Sequence, residues 1–222
     1  SSARETTMRV ALGSICRKFI EDLGIQVGSR VIQIHDVKDD SEIPDGIAPN
    51  EMSQTADASP VRCLDKKTEA GMIKTIDEAK TAGDSVGGIF QVIATGLPYG
   101  LGSPMQWDRK LQARITAMMM SVNAFKGIEI GGGTEGAEKL GSEVHDEIGW
   151  DGKNYTRHSN NAGGIEGGMS NAQPIVLRMA MKPIATLIKL SLIHISEPTR
   201  RYAISYADFW MKKKKAGGGG GG

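Results

Sequence analysis

Two glycine-rich segments are the parts of this sequence whose residue types and spacing could bind a ligand. Residues 131–136 satisfy the G-x-G-x-x-G spacing that lets a backbone approach the pyrophosphate of a dinucleotide. No periodic helix follows, and Gly141 interrupts the pattern at once, so we interpret this segment as a loop. Residues 160–168 contain four glycines but lack the Lys-Ser/Thr ending of a phosphate-binding loop. For this second segment, a loop that approaches an anionic ligand and a tight structural turn both stay open.

The histidines and lysines form no catalytic cluster in the sequence. His145 stands among acidic residues but has no second histidine at helical spacing, so we expect a surface residue and no metal site. His35, in a predicted strand, and His158, in a polar loop, have no nucleophile beside them and support no triad. Lys182 precedes Pro183 just after a predicted strand. It could direct a cation at a ligand, and a solvated lysine is the alternative.

The first element predicted by the sequence is a helix. Ser2, Ala3, Arg4 and Glu5 form a capping box, which predicts a helix start. A single apolar stripe follows and ends before Gly24, a helix stop signal; its members are Met8, Leu12, Ile15, Phe19 and Leu23.

Alternating and β-branched residues predict strands over 25–37, 86–95, 125–130 and 174–181. Residues 38–62 are polar and contain three prolines, which predicts a surface excursion with little regular structure.

A second helix is predicted over 67–82, with Gly83 as its stop and with Met72, Ile73, Ile76 and Ala79 on the inner face. Asp108 is expected to cap a third helix whose apolar positions are Leu111, Ile115, Met118, Met119 and Val122. The three consecutive methionines are expected to fill the core. Helices and strands without a regular βαβ repeat predict an α+β fold.

Residues 190–222 resemble the translation of an untrimmed sequencing-library adapter followed by poly-A and poly-G, and we exclude them from fold reasoning. The alternative is a genuine basic tail with a glycine linker.

The whole sequence has 27 basic and 26 acidic residues; without this tail 21 and 24 remain, a net charge of −3. A mildly acidic chain offers no electrostatic reason to bind nucleic acid or a membrane surface. No apolar run is long enough to span a bilayer, and Cys16 and Cys63 have no metal or redox spacing, as is typical of a cytoplasmic protein.

Four ordered blocks of residues 1–189 resemble chorismate synthase: residues 1–6 (SSARET), 120–127 (MSVNAFKG), 161–168 (NAGGIEGG) and 181–184 (MKPI). The resemblance implies a single domain over 1–189, with helices sandwiched between antiparallel sheets. It also implies a shikimate-pathway lyase that eliminates phosphate from 5-enolpyruvylshikimate 3-phosphate to give chorismate. The family requires reduced FMN and forms cytoplasmic homotetramers.

By this resemblance, the flavin contacts are Ser1, Ser2, Asn123, Ala124, Gly167, Lys182, Pro183, Ile184, Ala185 and Thr186. Arg4 beside the helix start would suit a substrate phosphate or carboxylate. The family's catalytic histidines lie in segments that this sequence lacks, so no catalytic acid or base is named. We therefore expect a fragment that is truncated at both ends and inactive alone. A non-catalytic flavin- or nucleotide-binding module and an inert fragment are the alternatives.

Overall fold

The computed structural model describes residues 3–41, 47–153 and 155–184. Its helices are α1 (Ala3–Glu21), α2 (Pro49–Asp57), α3 (Lys66–Thr81), α4 (Leu111–Met120) and α5 (Gly141–Val144), with 3-10 helices at Trp107–Arg109 and Gly133–Glu138. Its strands are β1 (Gln26–Ile34), β2 (Val37–Lys38), β3 (Gly88–Thr95), β4 (Phe125–Ile130), β5 (Ile148–Trp150), β6 (Tyr155–Arg157), β7 (Ile165–Glu166), β8 (Met169–Ser170) and β9 (Ile175–Met181). None of the described helices is both long enough and apolar enough to cross a membrane.

An antiparallel sheet of order β2-β1-β3-β9-β4 forms the centre of the fold. Every second residue of β9 faces the core, and Ile175, Leu177 and Met179 are buried there. Phe90 on β3 and Ile128 on β4 are the register partners of Met179. The helix α4 covers this face with Leu111, Ile115 and Met119. Its apolar periodicity thus places α4 over β4 and β9, and the predicted α+β class is confirmed.

The helices α2 and α3 pack at the β1 end of the sheet, where they bury a second group of side chains: Met52, Ala56, Cys63 and Met72. Asp65 caps α3 by accepting a hydrogen bond from Thr68 N at 2.9 Å, which satisfies a donor that the first turn cannot pair internally. Gly83, with a φ of 68°, follows the helix as predicted.

Several expectations from the sequence are wrong in detail. Residues 38–62 contain α2, which begins at Pro49, a residue suited to a first helical turn. His35 has a φ of 53° and lies in the turn between β1 and β2 rather than in a strand. Asp108 lies in the preceding 3-10 helix, and no side chain caps α4. Met118 and Met120 are 65% and 39% exposed, and only Met119 of the three packs against the core.

The helix α1 is confirmed, but its apolar stripe faces solvent. All five members, from Met8 to Leu23, are between 59% and 68% exposed. Its contact with the sheet is confined mainly to β1. The periodicity therefore predicted the helix but not the exposure of its apolar stripe among the described residues.

Candidate functional site

The first half of residues 160–168, here called the glycine loop, is held against the end of β4 by backbone contacts. Gly132 N donates a hydrogen bond to Asn161 O at 2.8 Å, and Val176 N donates to Gly163 O at 3.3 Å. Gly163 has a φ of 62°, and a Cβ there would lie 2.5 Å from Gly131 Cα. Glycine is therefore required at 163 by conformation and by space. This half of the loop is a tight structural turn.

The second half of the glycine loop presents an open position at Gly167. Its φ is 58°, and an added Cβ would meet nothing within 4 Å. The next carbonyl, Gly168 O, accepts hydrogen bonds from Leu111 N at 2.8 Å and Ser103 N at 3.3 Å. Gly167 is thus fixed beside the first turn of α4, with free space on its outer side.

Asp146 anchors the beginning of the glycine loop. Its carboxylate accepts hydrogen bonds from Ser159 Oγ at 2.5 Å, Asn161 N at 2.7 Å and Ala162 N at 2.9 Å. Burial alone would raise the pKa of Asp146, but these hydrogen bonds and the charge of Arg157 outweigh it and hold the pKa below its ordinary value of 3.8. The folded loop therefore favours the ionised carboxylate.

At the opposite end of α4, the chain enters β4 through a strained residue. Ala124 has a φ of 73°, a backbone conformation that residues other than glycine adopt at a cost of about 1–3 kcal/mol. Its carbonyl oxygen accepts a hydrogen bond from Lys182 N at 3.0 Å, because β4 and β9 pair up to Phe125 and Met181. The side chain of Lys182 is exposed.

The start of α1 lies against this same end. Asn123 Nδ2 donates a hydrogen bond to Glu5 Oε2 at 2.8 Å, and Arg9 Nη1 donates to Ser121 Oγ at 2.9 Å. Arg4 immediately precedes Glu5 in the first turn, where the helix dipole favours anions. We call this region, residues 121–124 and 181–184 with the first turns of α1, the lysine end.

The structure brings most of the sequence-predicted contacts to the lysine end, which contains Arg4, Asn123, Ala124, Lys182, Pro183 and Ile184. Gly167 lies at the other end of α4. The helix has ten residues, so roughly 15 Å of helix axis separates the two ends at 1.5 Å per residue. Ser1, Ser2, Ala185 and Thr186 lie outside the described residues.

Two residues that organise these ends were missed as site residues by sequence reasoning. Glu5 was assigned only a capping role, yet its carboxylate accepts hydrogen bonds from the side chains of Asn123 and Arg9. Asp146 was assigned no role of its own, and its neighbour His145 is exposed as expected. A local pattern could not reveal either role, because Asn123 and Asn161 are distant in sequence from the carboxylates that they contact. Among the described residues, no group of three His, Cys, Asp or Glu side chains could hold a metal ion.

Buried charge elsewhere serves the fold. Arg30 Nε donates to Gln91 Oε1 at 2.9 Å across two strands, and burial lowers the pKa of this guanidinium. Asp39 receives Leu64 N at 2.8 Å and holds the chain entering α3. Burial raises the pKa of the Cys63 thiol, which disfavours a reactive thiolate.

The fold is an α+β fold in which α4 covers an antiparallel sheet. The glycine loop lies at one end of this helix and Lys182 at the other, which makes a candidate site for an extended anionic ligand. The family model described as chorismate synthase matches residues 1–202 of this chain. The chain belongs to the chorismate synthase family, as the four blocks indicated. The match continues past Lys189, where the resemblance was expected to end.

Curated relatives agree with this assignment. A chorismate synthase 1 of Bacillus cereus is 54% identical over 190 residues, which cover 85% of this chain and 48% of that protein. A chorismate synthase of Listeria welshimeri is 51% identical over the same coverage. The chain thus spans about half the length of the curated relatives it matches.

A solved structure supports the fold. A crystal structure of chorismate synthase superposes with a TM-score of 0.76 at 46% identity, and the match covers 83% of this chain and 57% of that one.

Proposed function

We propose that the protein containing this chain is a chorismate synthase. It would eliminate phosphate from 5-enolpyruvylshikimate 3-phosphate to give chorismate, with reduced FMN as cofactor, as a cytoplasmic homotetramer. The observation that carries the proposal is the lysine end, where Lys182, the strained Ala124 and the start of α1 meet although they are distant in sequence. Membership of the family supports the same reaction.

The described residues fit a flavin nucleotide along α4. Gly167 leaves open space at one end, and the exposed Lys182 offers a compact cation at the other. Three buried polar atoms lack a hydrogen-bond partner among the described residues. Gln112 Oε1 in α4 and Thr6 Oγ1 in α1 lie near the two ends, and Gln26 Oε1 in β1 lies apart from both. Orphaned buried polar atoms are uncommon in folded proteins and suit a bound group that supplies the missing partners.

The residues of the proposed site have the following roles. Lys182 and the amide of Asn123 bind and orient the flavin, and residues 1, 2, 185 and 186 complete its contacts. Arg4, at the positive end of the α1 dipole, attracts the phosphate or carboxylate of the substrate. Reduced FMN held by these residues would supply electron density to the substrate as phosphate leaves.

The alternative of a nucleotide-binding module at residues 131–136 is disfavoured by the structure. These residues lie in or beside the 3-10 helix Gly133–Glu138, not at the start of a long α-helix. The Glu129 carboxylate accepts a hydrogen bond from Thr134 Oγ1 at 2.6 Å, and a Cβ on Gly133 would lie 2.8 Å from this side chain. A carboxylate therefore occupies the place where a pyrophosphate would need donors.

The test is a full-length protein in which residues 1–189 of this chain replace the matching segment of Bacillus cereus chorismate synthase 1. We expect this hybrid to bind FMN and to form chorismate from 5-enolpyruvylshikimate 3-phosphate when FMN is reduced. A hybrid that binds FMN without forming chorismate would support the flavin-binding module instead. A hybrid that does neither, although folded, would overturn the proposal. The 222-residue chain alone is expected to bind FMN weakly and to show no lyase activity.

Residues 190–222 lie outside the described residues. Although the family match extends to residue 202, we propose from the letters of the sequence that this segment derives from adapter sequence. Sequencing the source DNA without library adapters should replace them with a different continuation. Recovery of the same residues from that DNA would overturn this proposal.

A further inference from the structure

We propose that Asp146 is a positioning residue for the flavin site, because its carboxylate holds the glycine loop in the conformation that places Gly167 beside α4. This inference rests on the proposed function, since it assigns Gly167 to the flavin. No sequence pattern or family block pointed to this role. It follows from the contacts of the loop.

The carboxylate of Asp146 anchors the beginning of the loop, in addition to the backbone hydrogen bond from Gly132 N to Asn161 O. Asn161 N and Ala162 N donate to different oxygens of Asp146, at 2.7 and 2.9 Å, and Ser159 Oγ donates to one of them at 2.5 Å. Two consecutive backbone amides directed at one carboxylate fix the direction in which the chain enters the turn. An asparagine at 146 could accept at only one atom and would place an amide donor opposite a backbone donor.

The end of the loop is tied to the same segment through Arg157. Arg157 Nη1 donates to the Asp146 carbonyl oxygen at 3.0 Å, and Arg157 Nη2 donates to Glu166 Oε2 at 2.6 Å. Asn171 Nδ2 also donates to Glu166 Oε2, at 2.8 Å. Glu166 immediately precedes Gly167, so Asp146 and Arg157 together hold both sides of the open position.

The proposed role is positional because the carboxylate of Asp146 is directed at the loop backbone. All of its carboxylate contacts named above are to residues 159–162, which precede Gly167 in the loop. The same Asn161 and Ala162 line a cavity of about 260 Å³ between the loop and the 3-10 helix Gly133–Glu138. Loss of the carboxylate therefore releases the loop into available space rather than removing a ligand contact.

The experiment compares Asp146→Asn with Asp65→Asn. Asp65 is the matched control, because it also receives a backbone amide and a hydroxyl, from Thr68 at 2.9 and 2.7 Å, but in α3 rather than in the loop. Hydrogen exchange of the full 222-residue chain, followed at the amides of Asn161 and Ala162, measures loop order. FMN titration of the full-length hybrid measures binding, and thermal unfolding of both proteins measures stability.

We expect Asp146→Asn to speed exchange of these two amides and to weaken FMN binding about tenfold, the scale of one lost hydrogen bond to a charged group. Asp65→Asn should lower the thermal midpoint while leaving loop exchange and FMN affinity unchanged. Faster loop exchange with unchanged FMN affinity would overturn the positioning role and leave the proposed function standing. Equal weakening by both variants would show that lost stability is the cause, and this also overturns it. A wild-type hybrid without FMN affinity would overturn the proposed function and this inference with it.

Discussion

The two ends of α4 are held by different kinds of contact. At the glycine loop, backbone lies against backbone, as where Gly163 meets Gly131, and the half-buried carboxylate of Asp146 accepts hydrogen bonds from two backbone amides. At the lysine end, one backbone hydrogen bond joins Lys182 N to Ala124 O, exposed side chains hold the start of α1, and the Lys182 side chain is exposed. Substitutions at the loop end are therefore expected to lower the free energy of unfolding. Substitutions at the lysine end should change ligand binding with little effect on stability.

The largest effect is expected for Gly163→Ala. The methyl group would overlap Gly131, and the φ of 62° disfavours alanine, so the free energy of unfolding should fall by more than about 3 kcal/mol. Gly100→Ala is the control, because its φ is 86° but nothing lies within 4 Å of an added Cβ. It should cost only the strain, about 1–2 kcal/mol. Equilibrium unfolding in urea measures both, and equal losses would contradict the close packing.

Side-chain truncation should show the same contrast at a smaller scale. Ile165 of the glycine loop is 8% exposed and belongs to the same core as the buried residues of β9, so Ile165→Ala should lower the free energy of unfolding by about 2–4 kcal/mol. Asn123→Ala, at the lysine end, removes one exposed hydrogen bond and should cost less than about 1 kcal/mol. The same urea titrations compare them. A larger loss of stability for Asn123→Ala than for Ile165→Ala would contradict the view that the loop end contributes more to stability than the lysine end.

The strands and helices of the fold were largely predictable because their local patterns are strong. The pattern of 67–82 predicted α3 to within one residue at each end, and 125–130 matches β4. The α2 helix was missed because its short polar sequence has no apolar stripe long enough to outweigh the prolines around it. In α1 the stripe predicted the helix but not its exposure, since burial depends on a partner surface.

The candidate site was predictable only in part. The four blocks predicted Asn123, Ala124, Gly167 and Lys182 as flavin contacts, but their spacing cannot show that Gly167 lies at the other end of α4. The positive φ of Ala124 carries no local signal, because alanine is otherwise a common helix residue. The role of Asp146 depends on partners 13 to 16 residues away, which only the folded chain brings together.

The loop end should also respond to acid. The pKa of Asp146 is depressed in the folded chain, so its carboxylate stabilises the fold above the unfolded pKa, and this contribution is lost as pH falls through the folded pKa. Charged or titratable neighbours are His145, Glu147, Arg157 and Glu166. The stability difference between wild type and Asp146→Asn should be constant near neutral pH and should shrink below about pH 4.

Urea titrations across this pH range measure the effect. Lys182→Ala serves as the comparison at the lysine end, and its small stability difference should show no step in the same window. A difference for Asp146→Asn that persists unchanged at about pH 3, well below the ordinary value, would contradict the ionised carboxylate as the source of the stabilisation.

The most direct measurement of the central claim is the FMN affinity of Lys182→Ala and Lys126→Ala in the full-length hybrid. Both lysines are exposed, but Lys126 lies in β4 and is assigned no ligand contact. We expect Lys182→Ala to weaken FMN binding or lower turnover by about 1–3 kcal/mol, the scale of a lost hydrogen bond to a charged group, without lowering the thermal midpoint. Lys126→Ala should change binding by less than about 0.5 kcal/mol. Equal and negligible effects of the two substitutions would remove Lys182 from the site and contradict a flavin bound at the lysine end.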